Sequence, residues 1–295
     1  MVFFQQIING LAVGSIYALI AIGWTTVFGI VGVINWTHGE IYMFGAFSGY
    51  FAITKLHLSF FPALCLAMLV SGGIAVLTDK LFYKPLRTAA RLALFITALG
   101  ASTFYRYLAS ILWSPNPRAY PAVLKFKMIE LLRIGDQTLV ISNMHLMVLI
   151  TTIAIMVILQ LFISKAKMGK AMLAASQDFS TVGLMGIEAD HLITLTFLIS
   201  GILGGAAGVM VGTLYAIDPM MGAMAGLKGW SVAILGGIGS ITGSMIAGVL
   251  LGIAESLTSG FISTGYRDAI GFIIMILVLV VKPTGFLGFK FDEKV

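Results

Sequence analysis

Residues 34–43 read INWTHGEIYM and place the first charge of the chain, Glu40, two positions after the first histidine, His38. The next charge after Glu40 is Lys55. The carboxylate could serve as a proton site, or the pair could present polar groups along a transport route. Thr37 and Glu40 also have the T-x-x-E spacing of a capping box, in which hydroxyl and carboxylate each take a backbone amide at a helix start. Both roles fit the residues alone: a helix cap, or the border of a transport route. Other titratable groups are scattered. Glu255 and the pair Arg267–Asp268 read as interface groups, with a proton-carrying role as the lesser alternative. Arg106 reads as snorkelling towards a membrane surface rather than pairing with an acid on another helix.

What is missing excludes several chemistries. A phosphate-binding G-x-x-x-x-G-K-[ST] loop is absent, because Gly169-Lys170 is followed by Ala171. The run GGIGSITG (236–243) lacks the spacing of a dinucleotide fingerprint. Four scattered histidines and one cysteine offer no metal cluster. Cys65 excludes an internal disulfide and reads as a small buried hydrophobe. No catalytic residue, cofactor or metal is expected.

The elements that position these groups follow from composition. Of 295 residues, 59% are hydrophobic and only 10% charged, with mean hydropathy +1.03. Soluble domains carry about 25% charged residues, and a bilayer-crossing helix needs about 20 apolar ones. The expected fold is therefore all-α: a polytopic membrane bundle of about eight transmembrane helices plus broken or re-entrant half-helices, in a single domain over 1–295. The net charge of +6 says little about nucleic acid, since Lys and Arg in such proteins mark cytoplasmic loops. Gaps between charges suggest spans at Leu58–Thr78, Leu92–Trp113, His145–Ile163, Leu192–Ile217 and Ala269–Val281. Met1–Thr37 is too long for one perpendicular helix, and the 14 uncharged residues between Glu40 and Lys55 are too few for a span.

Basic residues in segments 80–91 and 164–170 and in the tail 282–295 place these on the cytoplasmic side. Segment 114–143, with three prolines, is expected outside as a small structured piece. Reaching a cytoplasmic C-terminus then requires Gly229–Ala254 to enter the membrane and turn back near 236–243. Interrupted segments at INWTHGE and at ILGGIGSITGS (234–244), one in each half, mark a transport route. Its expected lining is Asn35, Thr37, His38, Gly39 and Glu40 with Gly236, Gly237 and Gly239. Glycines at four-residue spacing (201/205, 204/208, 208/212 and 248/252) suit close helix packing in lipid. MGKAMLAASQDFSTVGLMGI (168–187) is helix-capable, with a smooth face at Ala171, Ala174 and Ala175. It fits an ordinary loop or a docking helix for a cytoplasmic motor.

GLAVGSIYALIAIGWTTVFGIVGVINWTHGEIYMFGA (10–46) resembles the start of permease subunits of bacterial branched-chain amino acid ABC importers. The similarity continues through KAKMGKAMLAASQDFSTVGLMGI (165–187), AILGGIGSITGSMIAGVLLGIAESL (233–257) and VKPTGFLG (281–288), and is weaker over 114–143. The resemblance implies a multi-pass subunit of the inner membrane that transports amino acids. It implies a second homologous permease, two cytoplasmic ATP-binding subunits and a periplasmic substrate-binding protein as partners, in addition to membrane lipid. Segment 164–190 would be the coupling loop, with Gly169, Ala171, Ala174, Ala175, Asp178, Gly183 and Gly186 at the ATPase. Urea, short amides or other amino acids are the alternative cargo, and an ion-coupled secondary transporter the alternative class.

Overall fold

The computed structural model describes residues 2–121, 127–134, 137–177, 183 and 186–288. In lipid each backbone amide must bond within its own segment, and the uncharged start of the chain accordingly forms one unbroken helix, α1 (Val2–Val31). There follow α2 (His38–Thr54), α3 (Phe60–Thr78), α4 (Arg91–Trp113), a hairpin of β1 (Met128–Ile134) and β2 (Gln137–Ser142), and α5 (Asn143–Lys165). The chain continues through α6 (Lys167–Gln177), α7 (Ala189–Leu214), α8 (Met221–Gly236), α9 (Ile241–Phe261) and α10 (Arg267–Val281). Among the described residues, seven helical stretches are long and apolar enough to cross a membrane: α1, α3, α4, α5, α7, α9, and α10 taken together with the single helical turn before it, Thr264–Val281, 18 residues. At 17 and 16 residues, α2 and α8 are too short to do so unaided.

Among the described residues the fold is thus helical apart from one antiparallel hairpin, with Met128 opposite Ser142 and Ile134 opposite Gln137, and a single bridge between Arg118 and Ile217. The side chain of Gln5 ties that hairpin to α1, donating to the Val140 carbonyl at 2.8 Å and accepting from its amide at 3.1 Å. Helix α1 is the axis, buried along most of its length from Gly10 to Val27. Small residues let its neighbours approach: Gly10 and Gly14 lie against Gly252, Ile253 and Val249 of α9. On α7, Gly201 and Gly205 face Ser71 of α3, and Gly208 faces Tyr42 and Ala46 of α2. The recurring glycines therefore serve packing, as their spacing suggests. The outward faces stay apolar, with Ile96 and Ile111 on α4, Val157 on α5 and Val280 on α10 exposed. Cys65 is exposed too, not the buried hydrophobe expected, because it lies on the outward side of α3.

Two ends are distinct. The hairpin, Gln5, and Gln6 with its Ser256 contact mark one end. At the other, Tyr83 and Leu94 pack near Val27 and Val31, and Ala171 and Met172 of α6 pack on Ile30. The amides of Phe286 and Leu287 bond to the carbonyls of Leu235 and Gly236 there. Segments 80–91, 164–170 and Lys282 therefore share the end opposite the hairpin, in line with the charge-based orientation.

Gly229–Ala254 does reverse at the glycines near 236–243, and its two limbs are unequal: the end of half-helix α8 and the first part of full-length α9. The reversal is made at Gly237 and Gly239, with φ of +96° and +89°, angles that side-chain-bearing residues rarely adopt. Ser240 caps the new helix by accepting from the Gly243 amide at 3.1 Å. The turn packs on Gly29 near the inner end of α1.

Candidate functional site

The polar residues of INWTHGE lie inside the bundle. Segment 32–37 climbs back from the end of α1, so that α2 begins level with the middle of that helix. His38 fixes the depth. Its Nε2 lies 3.1 Å from the Ile20 carbonyl and its Nδ1 3.0 Å from Ser200 Oγ. A carbonyl only accepts, so in the neutral ring Nε2 carries the proton and the Ser200 hydroxyl donates to Nδ1. Thr37 does not form the expected capping box: its hydroxyl donates to Asn35 Oδ1 at 2.5 Å, and no side-chain cap is made at α2. Tyr83 also donates to Asn35 Oδ1, at 3.1 Å.

Glu40, 1% exposed, turns away from Thr37 towards α4. Its Oε1 accepts from Ser102 Oγ at 3.0 Å and from Arg106 Nη2 at 2.9 Å. Arg106 therefore pairs with an acid rather than snorkelling, because Glu40 lacks water at this depth and an unpaired charge there costs several kcal/mol. The other oxygen, Oε2, is buried without a hydrogen-bond partner among the described residues and faces Gly222 in the first turn of α8. A helix N-terminus carries partial positive charge, which suits a carboxylate. Gly39 and Gly222 are in such close backbone contact that a Cβ on Gly39 would overlap the Gly222 carbonyl. The start of α2 thus meets the start of α8 at DPMMGAMAG (218–226). Gly236, Gly237 and Gly239 lie elsewhere, about 14 Å further along α1 if Ile20 and Gly29 mark the two levels.

A second polar constellation joins α1, α8, α9 and α10. Glu255 is 1% exposed, not an interface group. Its Oε2 accepts from Tyr17 Oη at 2.8 Å, Lys228 Nζ at 2.9 Å and Arg267 Nε at 3.0 Å. Lys228 also pairs with Asp268 at 2.7 Å. Sequence reasoning passed over Lys228 and Tyr17. The available signal was that Lys228 is the sole charge between Asp218 and Glu255.

Two clefts meet at this node. The outer one, about 520 Å³, is polar, with Gln5, Gln6, Asn9, His145, Ser256 and Ser259 on its walls. The inner one, about 260 Å³, is mainly apolar, with Ile16, Ile20, Val211, Met221 and Met224. Val13, Tyr215 and Arg267 border both. Inward of Ile20 the way is filled by aromatics: Trp24 lies 5.8 Å from Trp36 and 5.1 Å from Trp230, which lies 5.8 Å from Phe28. Asn35, Thr37, His38, Gly39 and Glu40 border neither cleft. Gly239 borders a void of about 30 Å³ between α1, α5, α6 and α9.

Helix α6 lies at the inner end. Gly169 packs on Phe162 and Ile163 of α5, and Ala171 and Ala175 pack with Ile30 and Leu192. Ala174 is half-buried, whereas Lys167, Met168, Lys170, Leu173 and Gln177 are exposed. The small residues therefore face the bundle, and a basic and apolar strip faces out. Gly183 and Gly186 are exposed, and Asp178 falls outside the described residues.

Half-helices meeting inside an apolar bundle, beside clefts strung along one central helix, define a multi-pass transport permease. The chain belongs to the family described as the permease component of the branched-chain amino acid transport system, matched over residues 6–279. It is 38% identical to the high-affinity branched-chain amino acid transport system permease protein BraD of Pseudomonas aeruginosa, over 99% of this chain and 98% of that one. It is 39% identical to LivH of Escherichia coli, with the same coverage, and 28% identical to a probable LivH of Methanocaldococcus jannaschii over 96% and 92%. The fold also resembles the solved structure of PsaBC from Streptococcus pneumoniae in complex with Fab, with TM-score 0.52, 13% identity, and coverage of 94% of this chain and 91% of that one.

Proposed function

We propose that this chain is a permease subunit of an ATP-driven importer in the bacterial cytoplasmic membrane, moving branched-chain or similarly apolar amino acids inward. The observation that carries this reading is the apolar cleft of about 260 Å³ beneath a polar vestibule. Apolar side chains of substrate gain by entering the first, after the second has admitted a polar backbone. The cargo is supported by the names of the relatives. In this reading a binding protein docks at the hairpin end and two ATPases engage the α6 region, including 178–186. A second, related permease covers part of the exposed helix surface.

The polar joint at 34–40 then serves the route by fixing its walls. Asn35, Thr37, His38, Gly39 and Glu40 lock the starts of α2 and α8, while Gly236, Gly237 and Gly239 set the inner turn. Motion of α6 reaches α1 through Ala171 and Ala175, which pack with Ile30, and α5 through Gly169. The aromatic group around Trp24 closes the inner side until that motion parts it.

The test is uptake of leucine, isoleucine and valine by proteoliposomes containing the complex that co-purifies with this chain. Uptake should require ATP on the ATPase side and binding protein on the other. Ion-gradient-driven uptake by the chain alone would assign it to secondary transport instead. Uptake of urea or short amides in place of amino acids would change the cargo.

A further inference from the structure

The node of Tyr17, Lys228, Glu255, Arg267 and Asp268 stands where the polar vestibule passes into the apolar cleft. Of the residues bordering both, Arg267 alone is charged. Its Nε and Nη2 bond to Glu255 and Tyr17, and its Nη1 has no partner among the described residues. The side chain is 29% exposed, and that of its neighbour Asp268, which borders neither cleft, is 48% exposed. Lys228 and Glu255 balance each other behind them at 2.9 Å. Ionisable groups this deep in an apolar bundle mark functional positions by default.

Resting on the amino-acid reading above, we propose that this node is a selectivity station for zwitterions. The free Nη1 of Arg267 meets the substrate carboxylate, the adjacent Asp268 meets its ammonium, and the apolar side chain points towards Ile16, Ile20 and Val211. The node has two cations and two anions, so a zwitterion exchanges partners with it without leaving a net charge behind. A neutral amide or urea would lack the carboxylate and leave Arg267 unmatched, which a hydrogen-bonding site penalises strongly. The carboxylate and side-chain requirements would thus be imposed again after the binding protein has released its cargo.

The experiment uses the assembled complex in proteoliposomes and measures leucine moved per ATP hydrolysed, with hydrolysis stimulated by leucine-loaded binding protein. Arg267→Gln is expected to lower that ratio about tenfold or more while stimulated hydrolysis stays within about twofold. Arg267→Lys should restore part of the ratio, and Asp268→Asn should lower it less than Arg267→Gln. An unchanged ratio in Arg267→Gln overturns the proposal. So does a parallel fall of uptake and hydrolysis, which would give the node a structural role only. Should Arg267→Gln fail to assemble, Arg267→Lys and Asp268→Asn decide by the same ratio. A wild-type complex that moves no amino acid would instead overturn the function, and this station with it.

Discussion

Glu40 and Arg106 lie 66 positions apart in the sequence and 2.9 Å apart in space, as a buried ion pair that ties half-helix α2 to α4. Removing the cation strands a carboxylate that has no water to fall back on. Arg106→Leu should therefore destabilise the folded chain by about 3 kcal/mol, the lower end of the range because Arg106 is partly exposed. Adding Glu40→Gln to that variant should recover more than half of the loss. Thermal unfolding in detergent of the two single variants and the double one checks this, and strictly additive losses would refute the pairing.

The meeting of α2 and α8 leaves no room for a methyl group at Gly39, since the obstructing atom is the backbone oxygen of Gly222. Gly39→Ala should cost about 2–3 kcal/mol, the usual result of overpacking against an immovable neighbour. Gly73→Ala, with nothing within 4 Å, should be neutral or stabilise by up to about 1 kcal/mol, because alanine is the better helix former. The same melting experiment separates them, and equal effects would remove the close contact.

On α6 the inward and outward faces should fail differently. Leu173→Asp changes an exposed position and is expected to reduce co-purification of the ATPase at unchanged melting temperature. Ala171→Leu inserts volume against Ile30 and Leu192 and should lower the melting temperature. The reverse pattern would show that the small-residue face is the one offered to a motor.

Orientation can be read by labelling in a Cys65→Ala background. Thr138→Cys on β2 should react with an impermeant thiol reagent in intact spheroplasts. Lys170→Cys on α6 should react only once the membrane is opened. Both positions are exposed, so the opposite result would invert the placement of the two ends.

Much of this was written in local patterns. Span positions followed from gaps between charges, since lipid tolerates few of them, and the glycine spacings correctly signalled tight helix contacts. Pairings across the bundle were less accessible. Thr37 and Glu40 match a capping box, yet each finds another partner: Asn35 Oδ1, two residues back, for the hydroxyl and Arg106 of α4 for the carboxylate. Lys228 hid inside an apolar stretch because its compensating acids, Glu255 and Asp268, come from two later helices. The conspicuous glycines at 236–243 drew attention from the plainer 218–226, where α8 starts opposite Gly39. On α6 the alanines do make a smooth face, but only packing decides that it turns inward.

Helix α1 carries Gln5 at the hairpin, Tyr17 at the charged node, Trp24 in the aromatic group and Ile30 against α6. It does so in 30 residues of continuous helix without a proline. A rotation imposed at its base has no hinge in which to dissipate before reaching its tip. In the proposed transport cycle, outer and inner mouths would thereby be mounted on one crankshaft, so that exposing one to its compartment turns the other away.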